Sequence, residues 1–381
     1  MTVKENGGLN RVLTLALVLL LSHSNLSAQS KERRELFPVC KEGECGYIDR
    51  TGKIVIDLKF DEAYNFSDGL ALVVVGRKFG FIDRTGRMVI PPRFGMARDF
   101  AEGLAAVTES DESMGAKWGF IDKSGRMVIE QQFKEALSFS DGLAPVQIER
   151  ADGLVHERSK SRFTSLWGYV NRSGELVFPP QFIAAFPFTG GVARFWTGAF
   201  VKENKYGLID KTGREIIPPK FDNISGDFHE GLAPFRIGDK WGFISPSGEI
   251  VIEPRFDSAQ DFSEGFACVA LKNKWNVAEW GFIDKSGRLV IQPEFSTAGD
   301  FSEGLAWVKP FSDSDKAGYI DVSGRMVIKP KFDTASNFSG GLALVMILGG
   351  KKSIDLHGEE YQTPKYGYID ATGRYVWKPT Y

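Results

Sequence analysis

Trp118-Gly119-Phe120-Ile121-Asp122-Lys123-Ser124-Gly125-Arg126-Met127-Val128-Ile129 reads as two short strands joined by a tight turn. The residues on either side of the link are aromatic and β-branched, as strands prefer. A three-residue link ending in glycine suits a type I turn closed by a residue in the left-handed region. Asp122 has a local task there, because its carboxylate can accept hydrogen bonds from turn amides. The same hairpin returns as Asp83-Arg84-Thr85-Gly86, Asp210-Lys211-Thr212-Gly213, Asp284-Lys285-Ser286-Gly287 and Asp370-Ala371-Thr372-Gly373, while Asn171 and Ser245 replace the Asp elsewhere.

Outward from this hairpin, the second strand meets proline, as in Pro91-Pro92, Pro218-Pro219, Pro254 and Pro330. Proline cannot donate to a ladder, so pairing is expected to end there. A third segment follows with Phe, Ala and Phe at offsets of three, such as Phe133, Ala136, Phe139 and Phe256, Ala259, Phe262. A second glycine turn, such as Phe262-Ser263-Glu264-Gly265, leads into a fourth segment like Gly304-Leu305-Ala306-Trp307-Val308. The glycine of the opening strand recurs at Gly46, Gly80, Gly119, Gly168, Gly207, Gly242, Gly281, Gly318 and Gly367, at intervals of 34 to 49 residues. A unit of this length buries too little apolar surface to offset its own chain entropy. The copies must therefore stack and share their cores. The expected fold is all-β: a tandem array of about nine units of short antiparallel strands, filling residues 29–381 without a second domain. An open β-solenoid or superhelical stack is preferred, because the chain begins near a fourth-type segment and stops after a second-type one; the alternative is a β-propeller.

These residues resemble the WG-repeat family, whose unit runs Trp-Gly-(Phe/Tyr)-Ile-Asp-x-x-Gly, Val-Ile-x-Pro, then Phe-x-x-Ala-x-x-Phe-x-x-Gly-Leu-Ala. The resemblance covers the chain from about Cys45 onward. The tryptophan itself stands only at Trp118, Trp167, Trp241 and Trp280; Cys45, Phe79, Tyr206, Ala317 and Tyr366 replace it elsewhere. Such drift suggests a packing role with some tolerance. The resemblance implies a multi-copy repeat protein and brings no catalytic residue set.

Residues 1–28 read as a signal peptide. Lys4 and Arg11 precede the apolar run from Val12 to Leu21, and Leu26-Ser27-Ala28 ends in the small residue expected before a cleavage site. The run is short for a bilayer, so no membrane span is expected once it is removed. An uncleaved anchor is the competing reading. The expected location is outside the cytoplasm, in the periplasm or beyond. With 47 basic and 49 acidic residues the formal net charge is −2, which gives no general attraction to nucleic acid or anionic lipid. Cys40 and Cys45 flank a turn-like stretch that could let adjacent strands be bridged by a disulfide in an oxidising compartment. Cys268 sits within an apolar stretch and reads as a small core filler.

Reaction chemistry is hard to find in the sequence. His23, His156, His229 and His357 show no metal-binding spacing, and the glycines recur in β-turns rather than ahead of a phosphate-binding helix. No cofactor, metal or catalytic set is expected. Asp68, Glu102, Asp141, Glu230, Glu264 and Glu303 recur beside the second glycine turn, and Lys53, Arg87, Arg126, Arg214, Arg288, Arg325 and Arg374 follow the first. Solvated turns and register-keeping surface pairs explain these stripes better than a calcium or polyanion ladder. Features that break the repeat are better candidates for function. Trp196, Trp275, Trp307 and Trp377 lie off the repeat's Trp position and could form a ligand platform. The insertions 147–166 and 348–364 are long irregular connections of the kind that carry recognition. The expected role is an exported, non-catalytic scaffold binding a protein or cell-envelope polymer. A glycan or peptidoglycan binder using the off-consensus tryptophans is the first alternative, and an enzyme assembled between repeats the second.

Overall fold

A computed structural model describes residues 35–110, 115–149, 165–196, 205–225, 227–312, 315–354 and 360–380. The signal-peptide reading, His156, His357 and the middle parts of both insertions lie outside these residues. Residues 36–381 form one compact unit. Every regular element described is a β-strand, in one three-stranded, six four-stranded and one seven-stranded antiparallel sheet. Strand Leu289–Ala298 is long enough to close one unit and open the next, so the seven-stranded sheet is two units and the array has nine modules.

Module 1 consists of β1 (Phe37–Lys41), β2 (Glu44–Ile48) and β3 (Ile54–Phe60), in that spatial order. Module 2 adds a fourth strand at the edge: β4 (Glu62–Ser67), β5 (Leu70–Val75), β6 (Lys78–Ile82) and β7 (Met88–Phe94). The sequence repeat and the sheet are therefore out of phase. A copy counted from its aromatic-Gly strand spends two strands in one sheet and two in the next, which stitches neighbouring modules covalently.

The hairpin forms as its residues dictate. Gly125 has φ of 84°, and Asp122 Oδ1 accepts from the Ser124 amide at 2.9 Å, the Ser124 hydroxyl at 2.5 Å and the Arg126 amide at 3.1 Å. Proline behaves differently from expectation. The strand continues past Pro91-Pro92 to pair Phe94 with Phe79, with a register shift between Phe79 and Phe81. The prolines sit in a bulge, where a missing N–H costs nothing to the ladder. The opening glycine is needed at the same place. A Cβ on Gly119 would lie 2.5 Å from the carbonyl oxygen of Ile129, so a side chain cannot be accommodated against the bulge.

Apolar cores lie between modules rather than within them. Phe81 of module 2 packs at 4.7 Å on Phe100 of module 3, and Phe120, Tyr169, Phe243, Phe282 and Tyr319 pack likewise on the phenylalanine of the following module. Buried clusters join each module to its successor. A further cluster joins the last module to the first: Leu342 and Tyr368 pack with Phe37, Val39 and Ile48. There Tyr368 lies 5.5 Å from Phe37, and its hydroxyl donates to the carbonyl of Pro38 at 3.1 Å.

Candidate functional site: the rim of variable connections

Strand direction sorts the connections of each module onto two ends. One end holds both glycine turns, and it is nearly invariant because its polar groups are committed to holding modules together. Asp68, Glu102, Asp141, Glu230, Glu264 and Glu303 adopt φ between 51° and 54°, an unfavourable region for such residues. Each then reaches into the next module: Glu264 accepts from the amides of Glu303 at 2.7 Å and Gly304 at 2.8 Å, and Glu303 from Gly341 at 2.8 Å. The neighbouring serines work in parallel. Ser67, Ser140, Ser263 and Ser302 each donate to the carbonyl of the next module's phenylalanine at 2.6 to 2.7 Å. The acidic stripe is thus an inter-module clasp and not merely solvated turn surface.

The basic stripe does not oppose it. Arg87, Arg126, Arg288 and Arg325 pair with the Asp of their own turn, and the clasp acids instead meet Lys123, Lys211 and Lys285. The Thr85 hydroxyl, with the turn amides and Arg87, holds the Asp83 carboxyl down at about 2, and the corresponding groups hold Asp284 and Asp321 there too.

The opposite end carries the connection between the fourth-type strand and the next aromatic-Gly strand, and here the modules differ. Both insertions, 147–166 and 348–364, occur at this connection, in modules 4 and 9; the second is not the irregular connection expected, because the strands Leu342–Ile354 and Glu360–Asp370 continue into it and pair Ser353 with Tyr361, extending the hairpin. Among the described residues the most exposed large apolar side chains lie at this connection or at its roots: Trp275 at 74%, Phe311 at 51%, Tyr366 at 49% and Ile237 at 47%. Lys274 lies over the Trp275 ring, 5.1 Å from its centroid. The root of the connection is tied down in modules 2, 6, 7 and 9, where Asp61, Asp222, Asp257 and Asp333 accept amide hydrogen bonds from Gly76, Gly238, Lys272 and Leu348. Lys240 and Lys316, immediately before the aromatic-Gly motif, reach Asp257 and Asp333 of the next module. A firmly held base therefore presents variable, partly apolar tips.

The four off-consensus tryptophans do not form one platform. Trp275 is on this rim, and Trp196 stands at the root of the same connection in module 5, stacked on Tyr206 at 6.4 Å and 11°. Trp307 lies in mid-strand, where its indole occupies the space that a side chain at Gly299 would need. Trp377 lines a cavity of about 220 Å³ at the junction of the last and first modules. Cys40 and Cys45 are cross-strand partners between β1 and β2 and are joined by a disulfide. Cys268 is fully buried.

Two polar clusters lie along the short edge strands. His229 Nε2 is 3.7 Å from Asp261 Oδ2; burial raises Asp261 to about 6 and raises Asp300 as well. The imidazole is half exposed, so this is an open surface pair rather than a sheltered acid–base dyad. A cavity of about 500 Å³ is lined by Tyr64, Phe79, Arg98, Asp99 and Trp118. Arg98 is already occupied there, lying 5.3 Å from the Trp118 ring centroid and bonded to Glu135 and to the carbonyl of Ala136.

Comparison with known proteins reports on the fold. The family model described as WG containing repeat matches residues 46–79, 79–111, 118–149, 167–195, 206–241, 241–275, 280–309 and 318–351. No curated protein sequence matches the chain. Among solved structures, one titled as the eukaryotic initiation factor superposes with a TM-score of 0.59 at 10% identity, covering 91% of this chain and 96% of that one. The β-propeller domain of the Trilobed protease from Pyrococcus furiosus gives 0.37 at 11% identity, covering 91% and 98%. Prolyl oligopeptidase B from Galerina marginata gives 0.43 at 12% identity, covering 82% and 55%.

Proposed function

The chain belongs to the WG-repeat family, and from that premise we propose that it is an exported, non-catalytic scaffold that binds a protein or cell-envelope polymer through its rim of variable connections. The observation that carries this reading is the division of labour between the two ends. Repeated polar residues that might have served a reaction are spent on joining modules, whereas sequence variation and the two most exposed large apolar side chains among the described residues, Trp275 and Phe311, lie at the other end. Exposed apolar patches on rigid frameworks are characteristic of interaction surfaces. A glycan-binding reading rests on Trp275 alone, with Lys274 beside it to meet a polar substituent.

The array is best read as a ring, a nine-bladed β-propeller, in preference to an open solenoid. Nine modules stacked in an open row would share eight cores, and the additional cluster around Phe37 and Tyr368 supports closure. The signal-peptide reading of residues 1–28 and the Cys40–Cys45 disulfide both favour a destination outside the cytoplasm.

The test compares the full-length protein with a Trp275→Ala/Phe311→Ala variant as bait for envelope and secreted fractions, alongside titration of intrinsic fluorescence with peptidoglycan fragments. The expected outcome is a partner retained by the native protein and lost by a variant whose melting is unchanged. Equal retention by both proteins would place recognition elsewhere.

A further inference from the structure

In module 5 the chain binds one of its own cations. The short strand of that module is followed by Phe186, and Arg194 of the strand beside it lays its guanidinium over the Phe186 ring, 4.2 Å from the centroid. Arg194 Nη1 donates to the carbonyl of Ile224 in module 6 at 3.1 Å, and its charge is within electrostatic reach of Asp227 and Tyr206. A planar cation is thus held by an aromatic face together with a carbonyl and a carboxylate of the next module, the surroundings that suit a guanidinium.

Modules 2 and 3 repeat these surroundings without the cation. Ala63 pairs Val73 as Ala185 pairs Phe195, so Tyr64 is the counterpart of Phe186 and Leu72 that of Arg194. Phe79 stands where module 5 has Tyr206, Asp99 precedes Phe100 as Asp227 precedes Phe228, and Ala97 holds the paired position of Ile224. All five of these counterparts line the cavity of about 500 Å³ described above. Leucine in place of arginine leaves the ring, the carbonyl and the carboxylate facing that cavity. Among the described residues, no cation or second ring lies on Tyr64 or Phe79, and Asp99 takes part in no hydrogen bond or ion pair. The acids at the same position in modules 7 and 8 do have partners, since Asp261 meets His229 and Asp300 is bonded to Asn337. Arg98 and Glu135, also in the lining, satisfy each other at 2.7 Å. Asp99 therefore gives the cavity one uncompensated negative charge.

We propose that this cavity binds the guanidinium group of a ligand, stacked on Tyr64 beside Phe79 and held by the Asp99 carboxylate and the Ala97 carbonyl, in the place that Arg194 takes from within the chain in module 5. A guanidinium can serve a ring face and two acceptors at once because it is planar and carries five N–H donors. A neutral group of the same shape loses the attraction to Asp99, and an anion is repelled by it. The site goes beyond the binding-scaffold reading and does not depend on the rim, since it lies in modules 2 to 4 while Trp275 and Phe311 belong to modules 7 and 8.

The test is saturation-transfer NMR of the full-length protein with argininamide and with citrullinamide, its uncharged isostere. Argininamide is expected to bind saturably with Kd below about 10 mM, and citrullinamide at least about tenfold more weakly, a loss of about 1.4 kcal/mol. Asp99→Asn, a change at an exposed side chain, should weaken argininamide by a similar factor. Leu72→Arg should abolish binding by supplying the cation from within, as Arg194 does in module 5. A capped Ala-Ala-Arg-Ala-Ala peptide separates the two sources of the group: tighter binding than argininamide assigns it to the arginine of a partner protein, and weaker binding to a free small cation. No saturable binding of argininamide, equal binding of citrullinamide, or undiminished binding by Asp99→Asn overturns the site. Any of these failures leaves the rim test untouched.

Discussion

At the scale of single residues, two kinds of glycine do different work, and only one depends on backbone handedness. Gly125, at φ of 84°, needs the left-handed region, and its α-carbon also faces Ile90 of the neighbouring module at 3.3 Å from where a Cβ would stand. Gly125→Val is expected to cost about 1–3 kcal/mol, from a β-branched residue forced to positive φ. Thermal unfolding measures it, and unchanged melting would contradict the turn. The carboxylates make opposite predictions with pH. Asp83, Asp284 and Asp321 sit at about 2 instead of 3.8, so their stabilisation is whole above pH 4 and is lost as pH falls from there towards 2. Asp261 is raised to about 6 by burial, so the fold favours its protonated form and the folded protein is penalised as pH rises through 6. Asp261→Asn should therefore raise the melting temperature at pH 7.5 relative to the native protein and leave it little changed at pH 4. No such difference between the two pH values would refute the burial argument.

At the scale of elements, the turn between the third and fourth segments behaves as a fastener. Its acid pays for a strained backbone by bonding amides of the next module, as Glu264 does with Glu303 and Gly304. Glu264→Ala keeps the strain and loses the bonds, whereas Glu264→Gly relieves the strain as it loses them. The alanine variant is expected to melt lower than the glycine variant, and both lower than the native protein; a glycine variant as unstable as the alanine one would show that strain is negligible. Modules 5 and 9 have glycine at the acid's position, Gly190 and Gly340, and no side chain to clasp the module that follows. The proline expectation failed at this scale for a related reason. A rule about ladder donors predicts where bonds stop, but a bulge lets the strand pass the proline and resume at Phe94.

At the scale of the whole molecule, stability depends on cores shared in series, with one extra junction between modules 9 and 1. Phe37→Ala removes the ring packed on Tyr368 and should cost about 3 kcal/mol, as large-to-small changes at buried aromatic sites do. If the array is a ring, amide hydrogen exchange should accelerate in both β1–β3 and residues 360–380, though they are remote in sequence. Acceleration in module 1 alone would indicate an open row.

The recurrence of Gly, Phe, Ala and Asp was sufficient to identify strands, turns and the dependence of each unit on its neighbours. Those signals are local in spacing, and a 38-residue unit has no other route to a core. The sequence was silent on which two strands of one copy join which sheet, because phase depends on contacts between copies and not on periodicity. It also left the acids as turn decoration, since the amide that each one holds lies some 35 to 50 residues ahead. Trp196 and Trp307 were legible only as departures from the pattern; that one stacks on Tyr206 and the other covers Gly299 follows from three-dimensional packing. The meeting of Phe37 with Tyr368, 331 residues apart, was decided by tertiary structure alone, because no local preference links residues so far apart in sequence.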